Sequence, residues 1–373
     1  MIRCVHCGYE NPPNYQFCQN CGNSLKPEQS DISTFEIDDP SQISDQIPDD
    51  IPADLVEQAS FDITPEQSEE LMAEIAAADF MNSSVESTSD GPESEITKVI
   101  QPKPKFQLRH LAYAGLTDVG RSRDHNEDDF VILGQGFYRE TAAQQVVQDH
   151  KGLFIVCDGM GGHDGGEVAS ALAIAEITQH FNDFWQRGIP SEAELRQILL
   201  KTNQAIFNLN EQEARRDLGR MGTTLVLLAI HNHQVAIAHV GDSRIYRVTD
   251  RKLEQLTRDH EVANRLIDQG MSEAIARARY DAHQLTQALG PFDAQMVNPS
   301  LSYFTLTEPT LFLLCSDGLC DDDLVEQHWE NSLLPLLEPD SDLKTGVQDL
   351  VNLANYFNGH DNITAIAVQC LMT

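Results

Sequence analysis

The chain has 373 residues, 41% of them hydrophobic, and a net charge of −34 from 59 acidic and 25 basic residues. That length allows one large folded unit with attachments, and there is no apolar run of about 20 residues to cross a bilayer. The opening Met1–Cys4 stretch lacks the apolar core of a signal peptide, so a cytoplasmic location is expected, and the acidic excess argues against direct nucleic-acid binding.

Residues 1–25 carry two CxxC pairs, Cys4 with Cys7 and Cys18 with Cys21, separated by ten residues. Each pair can present two thiolates from a tight turn, and Gly8 and Gly22 follow the second cysteine of each. Four soft ligands with no open position suit a structural zinc ion; a redox dithiol or an iron site is the alternative. The stretch resembles the zinc-ribbon family, which implies a small unit used for contacts with other macromolecules.

Residues 26–104 form the next section. Between Pro27 and Thr97 there are 20 Asp or Glu residues and no Lys, Arg or His, which predicts a self-repelling, largely disordered linker. Residues 65–82 read PEQSEELMAEIAAADFMN and place Leu71, Ile75, Ala78 and Met81 on one helical stripe. This short helix either stays transient or docks on a partner or on the chain's own catalytic face.

The remaining section, 105–373, has mixed periodicity. Apolar, β-branched runs predict strands at 129–133, 152–157, 224–230, 234–240, 244–248, 310–315 and 364–369. A helix is expected over Glu167–Trp185, with Val168, Leu172, Ala175, Phe181 and Trp185 as its stripe. Ser191 and Glu194 form a capping box for a second helix reaching about Glu213, and a third runs over Asp342–Phe357 with Gly359 just beyond. Helices in blocks between groups of hairpin-like strands predict an α+β fold. Cys157, Cys315, Cys320 and Cys370 show no ligand spacing and are read as buried packing residues.

Chemistry is expected where the apolar runs end. LFIVCDGMGG ends at Asp158 and TLFLLCSDGL at Asp317, each followed by glycine; Glu127 and Asp128 begin one strand and Asp361 precedes the last. Acids gathered in one cleft resist ionisation unless cations lie between them, and oxygen-only ligands favour Mg²⁺ or Mn²⁺. Two such ions can activate a water and orient a phosphate monoester. Arg123, ahead of Glu127, is the candidate clamp for phosphate, with Arg121 the weaker choice. Asp118 is read as a turn cap.

Six segments in order, TDVGRSRDHNEDDF (117–130), DGMGGHDGGEVAS (158–170), MGTTL (221–225), GDSR (241–244), SDGL (316–319) and DNIT (361–364), together resemble the PPM, or type 2C, protein phosphatases in their bacterial form. The resemblance implies a four-layer α-β-β-α sandwich with metals in a channel at one end, acting on phosphoserine and phosphothreonine in proteins. It implies that Asp158 bridges two Mg²⁺ or Mn²⁺ ions, Gly159 supplies a carbonyl, and Asp317 and Asp361 complete the first site. Asp128, and Glu127 through water, serve the second; Asp242 helps hold a third, looser ion with Asp317. The segment from His260 to Asp281 corresponds to a variable flap near the channel. Where animal relatives carry a histidine two positions after the bridging aspartate, this chain has Met160, and His163 is the nearby imidazole, either a proton donor or a brace for the glycine turn. The alternative, a catalytically silent protein-binding module of the same fold, calls for a lost metal ligand. Phosphoproteins are the expected partners, with a further protein contact through the zinc ribbon or the linker.

Overall fold

The computed structural model describes residues 2–3, 10–11, 107–140, 146–161, 165–182, 184, 187–216 and 219–372. Strands β1 (Ile2–Arg3) and β2 (Glu10–Asn11) pair antiparallel. Cys4, Cys7, Cys18, Cys21, the section 26–104 with its expected helix, and His163 lie outside the described residues.

The large section starts with β3 (Leu108–Asp118), β4 (Asp128–Glu140) and β5 (Val146–Met160), followed by helices α1 (Gly165–Phe181) and α2 (Glu192–Gln212). A short β6 (Gly222–Thr223) leads into β7 (Leu225–His231), β8 (Gln234–Val240), β9 (Arg244–Val248) and β10 (Leu253–Gln255). Two small helices, α3 (Val262–Asp268) and α4 (Glu273–Arg277), precede β11 (Ser300–Thr305) and β12 (Thr310–Cys315). Helices α5 (Asp317–Cys320), α6 (Leu324–Ser332) and α7 (Leu343–Phe357) then lead to β13 (Ile363–Met372).

The described strands of this section make two antiparallel sheets, one in the order β10-β9-β12-β13-β3 and one in the order β11-β8-β7-β5-β4, with β6 also paired to β5. Successive side chains of a strand point to opposite faces, and here both faces are covered. In β5, Leu153, Ile155 and Cys157 pack with Ala169, Ala173 and Ile177 of α1 and Leu195 and Leu199 of α2. Phe154 and Val156 pack between the sheets with Phe312, Leu314, Ile366 and Val368. In β12, Leu311, Leu313 and Cys315 meet Val347, Leu350 and Val351 of α7. The result is the expected α+β arrangement, with helices outside two packed sheets.

Local signals read from the residues hold at several elements. Ser191 caps α2: its Oγ accepts from the Glu194 N–H, and Glu194 Oε2 accepts from the Ser191 N–H at 2.8 Å. Asp342 caps α7 in the same way, accepting from Lys344 and Thr345 N–H groups. Helix α1 departs from its expected stripe. It buries Gly166, Ala169, Ser170, Ala173, Ile177 and Phe181, while Val168, Leu172 and Ala175 are only partly covered. The helix is apolar nearly all round, so periodicity does not select a face, and its smallest residues lie where the sheet is closest. It also ends at Phe181, short of Trp185. The four cysteines of this section are buried free thiols, as expected.

Candidate active site

The apolar strands bring their acidic ends to one end of the sandwich. Asp128 of β4 is registered opposite Asp158 of β5, and Ile363 of β13, two residues after Asp361, opposite Asp118 of β3. Cys315, two residues before Asp317, is registered opposite Ala365 of β13 and Arg244 of β9. Asp158, Asp242, Asp317 and Asp361 therefore leave four different segments into one cavity of about 330 Å³, whose wall also includes Arg123, Glu127 and Gly159.

The backbone around Asp158 is held from both sides. Its N–H donates to Thr224 Oγ1 (3.1 Å), and its carbonyl accepts from Thr224 N–H (2.8 Å) and Thr223 Oγ1 (3.0 Å). Thr224 Oγ1 also shares a 2.7 Å hydrogen bond with Ser243 Oγ, linking the Asp158 strand to the turn that carries Asp242. Gly159 donates its N–H to the Glu127 carbonyl (3.1 Å), and the first turn of α1 lies so close that no side chain fits at 159 or 166. Small residues are thus required at this crossing.

Burial and mutual repulsion act together on the carboxyls. Burial, then Asp317, Asp128 and Asp242, holds the Asp158 carboxyl well above the usual carboxylate range. Burial, then Asp317 and Asp259, does the same to Asp242. Asp317 is pushed up to about 6 by burial, Asp321 and Asp361, and its Oδ1 is a buried oxygen with no hydrogen-bond partner. Carboxyls such as Asp158, Asp242 and Asp317 that burial and mutual repulsion hold above their ordinary range, with an orphaned oxygen among them, fit hard divalent cations in their chemistry. As the side chains stand, no three His, Cys, Asp or Glu groups among the described residues are gathered closely enough to hold one ion. The carboxylates are spread over the cavity wall, and Asp361 is taken by Arg123, whose Nη2 lies 2.6 Å from its Oδ2.

Asp128 departs from the place expected of a ligand. It is absent from the cavity wall, and its buried Oδ2 accepts hydrogen bonds from Ser316 Oγ and Thr364 Oγ1, both 2.7 Å long. Burial pushes its carboxyl up to about 7 despite these two bonds. Glu127 lies just before β4 and Asp128 opens it, and Glu127 is the one at the cavity. Asp118 caps a turn as expected, its Oδ1 accepting from Gly120 N–H (2.8 Å) and Asn355 Nδ2 (3.0 Å). Arg121 is also absent from the wall. Thr224 and Leu285 line the cavity without having been singled out, and Met160 lines it at the position where animal relatives carry a histidine. Thr224 lies inside MGTTL, so its motif was visible and its role was not.

The family profile described as protein phosphatase 2C matches residues 134–352. The serine/threonine phosphatase stp of Listeria welshimeri is 34% identical over 256 residues, covering 68% of this chain and 93% of that protein. The chain belongs to the protein phosphatase 2C family. Protein phosphatase PhpP of Streptococcus pneumoniae is 33% identical over 259 residues, covering 68% of this chain and 95% of its own. Among solved structures, the Mycobacterium tuberculosis serine/threonine phosphatase PstP/Ppp superposes with a TM-score of 0.55 at 30% identity, covering 70% of this chain and 99% of that one. A structure of the PstP catalytic domain with 2 manganese ions gives 0.53 at 30% identity, covering 71% and 99%. A zinc-ribbon domain profile matches residues 3–25. The phosphatase 2C profile stops short of Arg123, Glu127 and Asp361, so the geometry of the cavity is what joins these three to the rest.

Proposed function

We propose that the chain hydrolyses phosphoserine and phosphothreonine in proteins, at the cavity formed by Asp158, Asp242, Asp317, Asp361, Glu127 and Gly159. The observation that carries this reading is the convergence of these oxygen donors, with Arg123 among them, in a chain of the phosphatase 2C family. Asp158, Asp317, Asp361, the Gly159 carbonyl and Glu127 would hold two Mg²⁺ or Mn²⁺ ions, and Asp242 with Asp317 a third. Bound there, such ions lower the pKa of water and offset charge on phosphate oxygens.

The protein's own groups then do the positioning. Arg123 is half exposed at the cavity, so its fork can turn from Asp361 to two phosphate oxygens. Asp128, held by Ser316 and Thr364, would brace the start of β4 next to Glu127. His163, outside the described residues, stands as the donor to the leaving oxygen or as a brace for the turn.

Residues 1–25 are read as a zinc ribbon closed by Cys4, Cys7, Cys18 and Cys21, which the matching profile supports. Residues 26–104 are the acidic linker and 105–373 the catalytic domain. The ribbon or the linker would engage a protein partner. No described helix is long and apolar enough to cross a membrane, and the buried free thiols suit the cytoplasm.

The test is phosphate release from a phosphothreonine peptide with and without Mn²⁺, for the wild type and Asp158→Asn. The reading expects metal-dependent turnover that the substitution abolishes while the fold persists, because charge is removed with little change of volume. Near-normal turnover by Asp158→Asn at saturating Mn²⁺ would overturn it.

A further inference from the structure

The segment between β10 and β11 carries α3 and α4 on a small core of its own, with Ala263, Ala276 and Ala282 at its centre. Its two ends are tied together: Val262 N–H donates to the Gln284 carbonyl and Ala263 N–H to the Ala282 carbonyl. At the base of this segment stands His260, and every polar atom it has is committed. Its backbone N–H donates to the Gly241 carbonyl (2.8 Å), and its Nδ1 accepts from the Gly241 N–H (3.2 Å). Its Nε2 lies 3.0 Å from Ser300 Oγ, and its carbonyl accepts from Thr286 N–H (2.7 Å) and Oγ1 (2.9 Å). The ring stacks on His239 of β8 at a centroid separation of 4.6 Å.

Gly241 is the residue before Asp242 and sits at φ +105, pressed against Thr224 so that a Cβ would come within 2.8 Å of the threonine side chain. A glycine here accommodates the turn but has the widest conformational freedom of any residue. One residue, His260, holds the peptide planes on both sides of it. The ring's protonation state agrees with this geometry. Burial and the neighbouring His239 push His260 down to about 4, so at neutral pH it is uncharged, with a lone pair on Nδ1 for the Gly241 N–H and a proton on Nε2 for Ser300.

We propose that His260 is a positioning residue for Asp242: by clamping both peptide groups of Gly241, it aims the Asp242 carboxylate at the cavity and ties the base of the α3–α4 segment to the weaker cation site. The inference rests on the assignment of Asp242 to a third, looser ion made above. His260 touches neither substrate nor ion, and it acts only through the Gly241 turn.

Two substitutions separate the ring's contacts. His260→Gln keeps an amide near the Nε2 position, toward Ser300, and loses the acceptor for Gly241. His260→Asn keeps an acceptor near the Nδ1 position and loses the Ser300 contact. The full-length chain, stripped of divalent ions at the cavity, is titrated with Mn²⁺ by calorimetry and by manganese spin resonance, alongside Asp242→Ala and with thermal unfolding recorded for each. Asp242→Ala is expected to remove the weakest binding event and keep the two tighter ones. His260→Gln is expected to weaken that same event about ten-fold, since an unpaired buried N–H costs roughly that much, and to lower kcat at limiting Mn²⁺ without changing KM for a small aryl phosphate. His260→Asn should stay within about three-fold of the wild type. A wild-type titration by His260→Gln, or equal losses in Gln and Asn variants that follow their unfolding temperatures, overturns the positioning role. Persistence of the weakest event in Asp242→Ala overturns the assignment of Asp242 itself, and with it the inference.

Discussion

Replacing Gly159 by alanine tests how tightly the crossing of β5 and α1 controls the cavity. A Cβ at 159 would overlap the carbonyl of Gly166 and come within 2.5 Å of the Glu127 carbonyl oxygen. Neither obstacle is the end of a flexible side chain: one is the first turn of α1, the other the chain entering β4. Ordinary contact, which begins near 3.4 Å, would require a shift of about 0.9 Å from the Glu127 carbonyl oxygen and about 1.2 Å from that of Gly166. Overpacking of this kind costs about 3 kcal/mol, the upper part of the usual range, which for a domain of this size lowers the unfolding temperature by about 6–12 °C. A displacement approaching 1 Å at reacting groups lowers kcat by about 10²-fold. The assay is Mn²⁺-dependent hydrolysis of a small aryl phosphate, read beside calorimetric unfolding. Gly219→Ala is the control, since a Cβ there has nothing within 4 Å. A Gly159→Ala protein with wild-type kcat and an unfolding temperature within about 1 °C of the wild type would refute the steric argument.

Ser191→Ala removes the capping box of α2 and should lower stability by about 1 kcal/mol, seen in urea unfolding, with kcat unchanged because α2 lies outside the sheets and away from the cavity. Burial pushes Asp149 up, but hydrogen bonds from His231 (2.8 Å) and Lys151 (3.2 Å) outweigh it and hold its carboxyl below the ordinary 3.8. A depressed carboxylate stabilises the fold above its unfolded pKa and loses that contribution as pH falls through the folded value. The stability gap between wild type and Asp149→Asn should therefore be full near pH 6 and shrink below pH 3.8, and a gap constant across that range in urea unfolding would contradict the assignment. Deleting residues 1–104 should remove tightly bound zinc, measured by elemental analysis, and preserve Mn²⁺-dependent aryl phosphate hydrolysis; a folded product that keeps its core ions and loses turnover would make the N-terminal region part of catalysis.

Much of the site was legible because its residues lie where apolar runs stop. Asp158 and Asp317 follow the runs that become β5 and β12, and the bounds of β8, β9 and β12 agree with those expected from composition. Strands β3 and β11 were missed because they are edge strands: LRHLAYAGLTD and SLSYFT interleave polar and half-buried residues and contain no long apolar run. The different places of Glu127 and Asp128 fall at the boundary of β4, which Asp128 opens and Glu127 precedes, and the apolar run 129–133 marked that boundary only to within a residue. His260 could not have been found that way. Its partners Gly241 and Ser300 lie 19 and 40 residues away, and only the folded chain brings them to its ring.

The pairing of β3 with β13 sets Met372 beside Leu108 in register, while at the far end of the same ladder Ile363 meets Asp118 beside the cavity. Leu108 and Met372 are thus neighbours at the end of this ladder away from the chemistry, about 30 Å away along ten residues of strand. A short peptide joining Met372 to Leu108, with new ends opened at the exposed turn around Asp250–Arg251, should leave each carboxylate on its own strand.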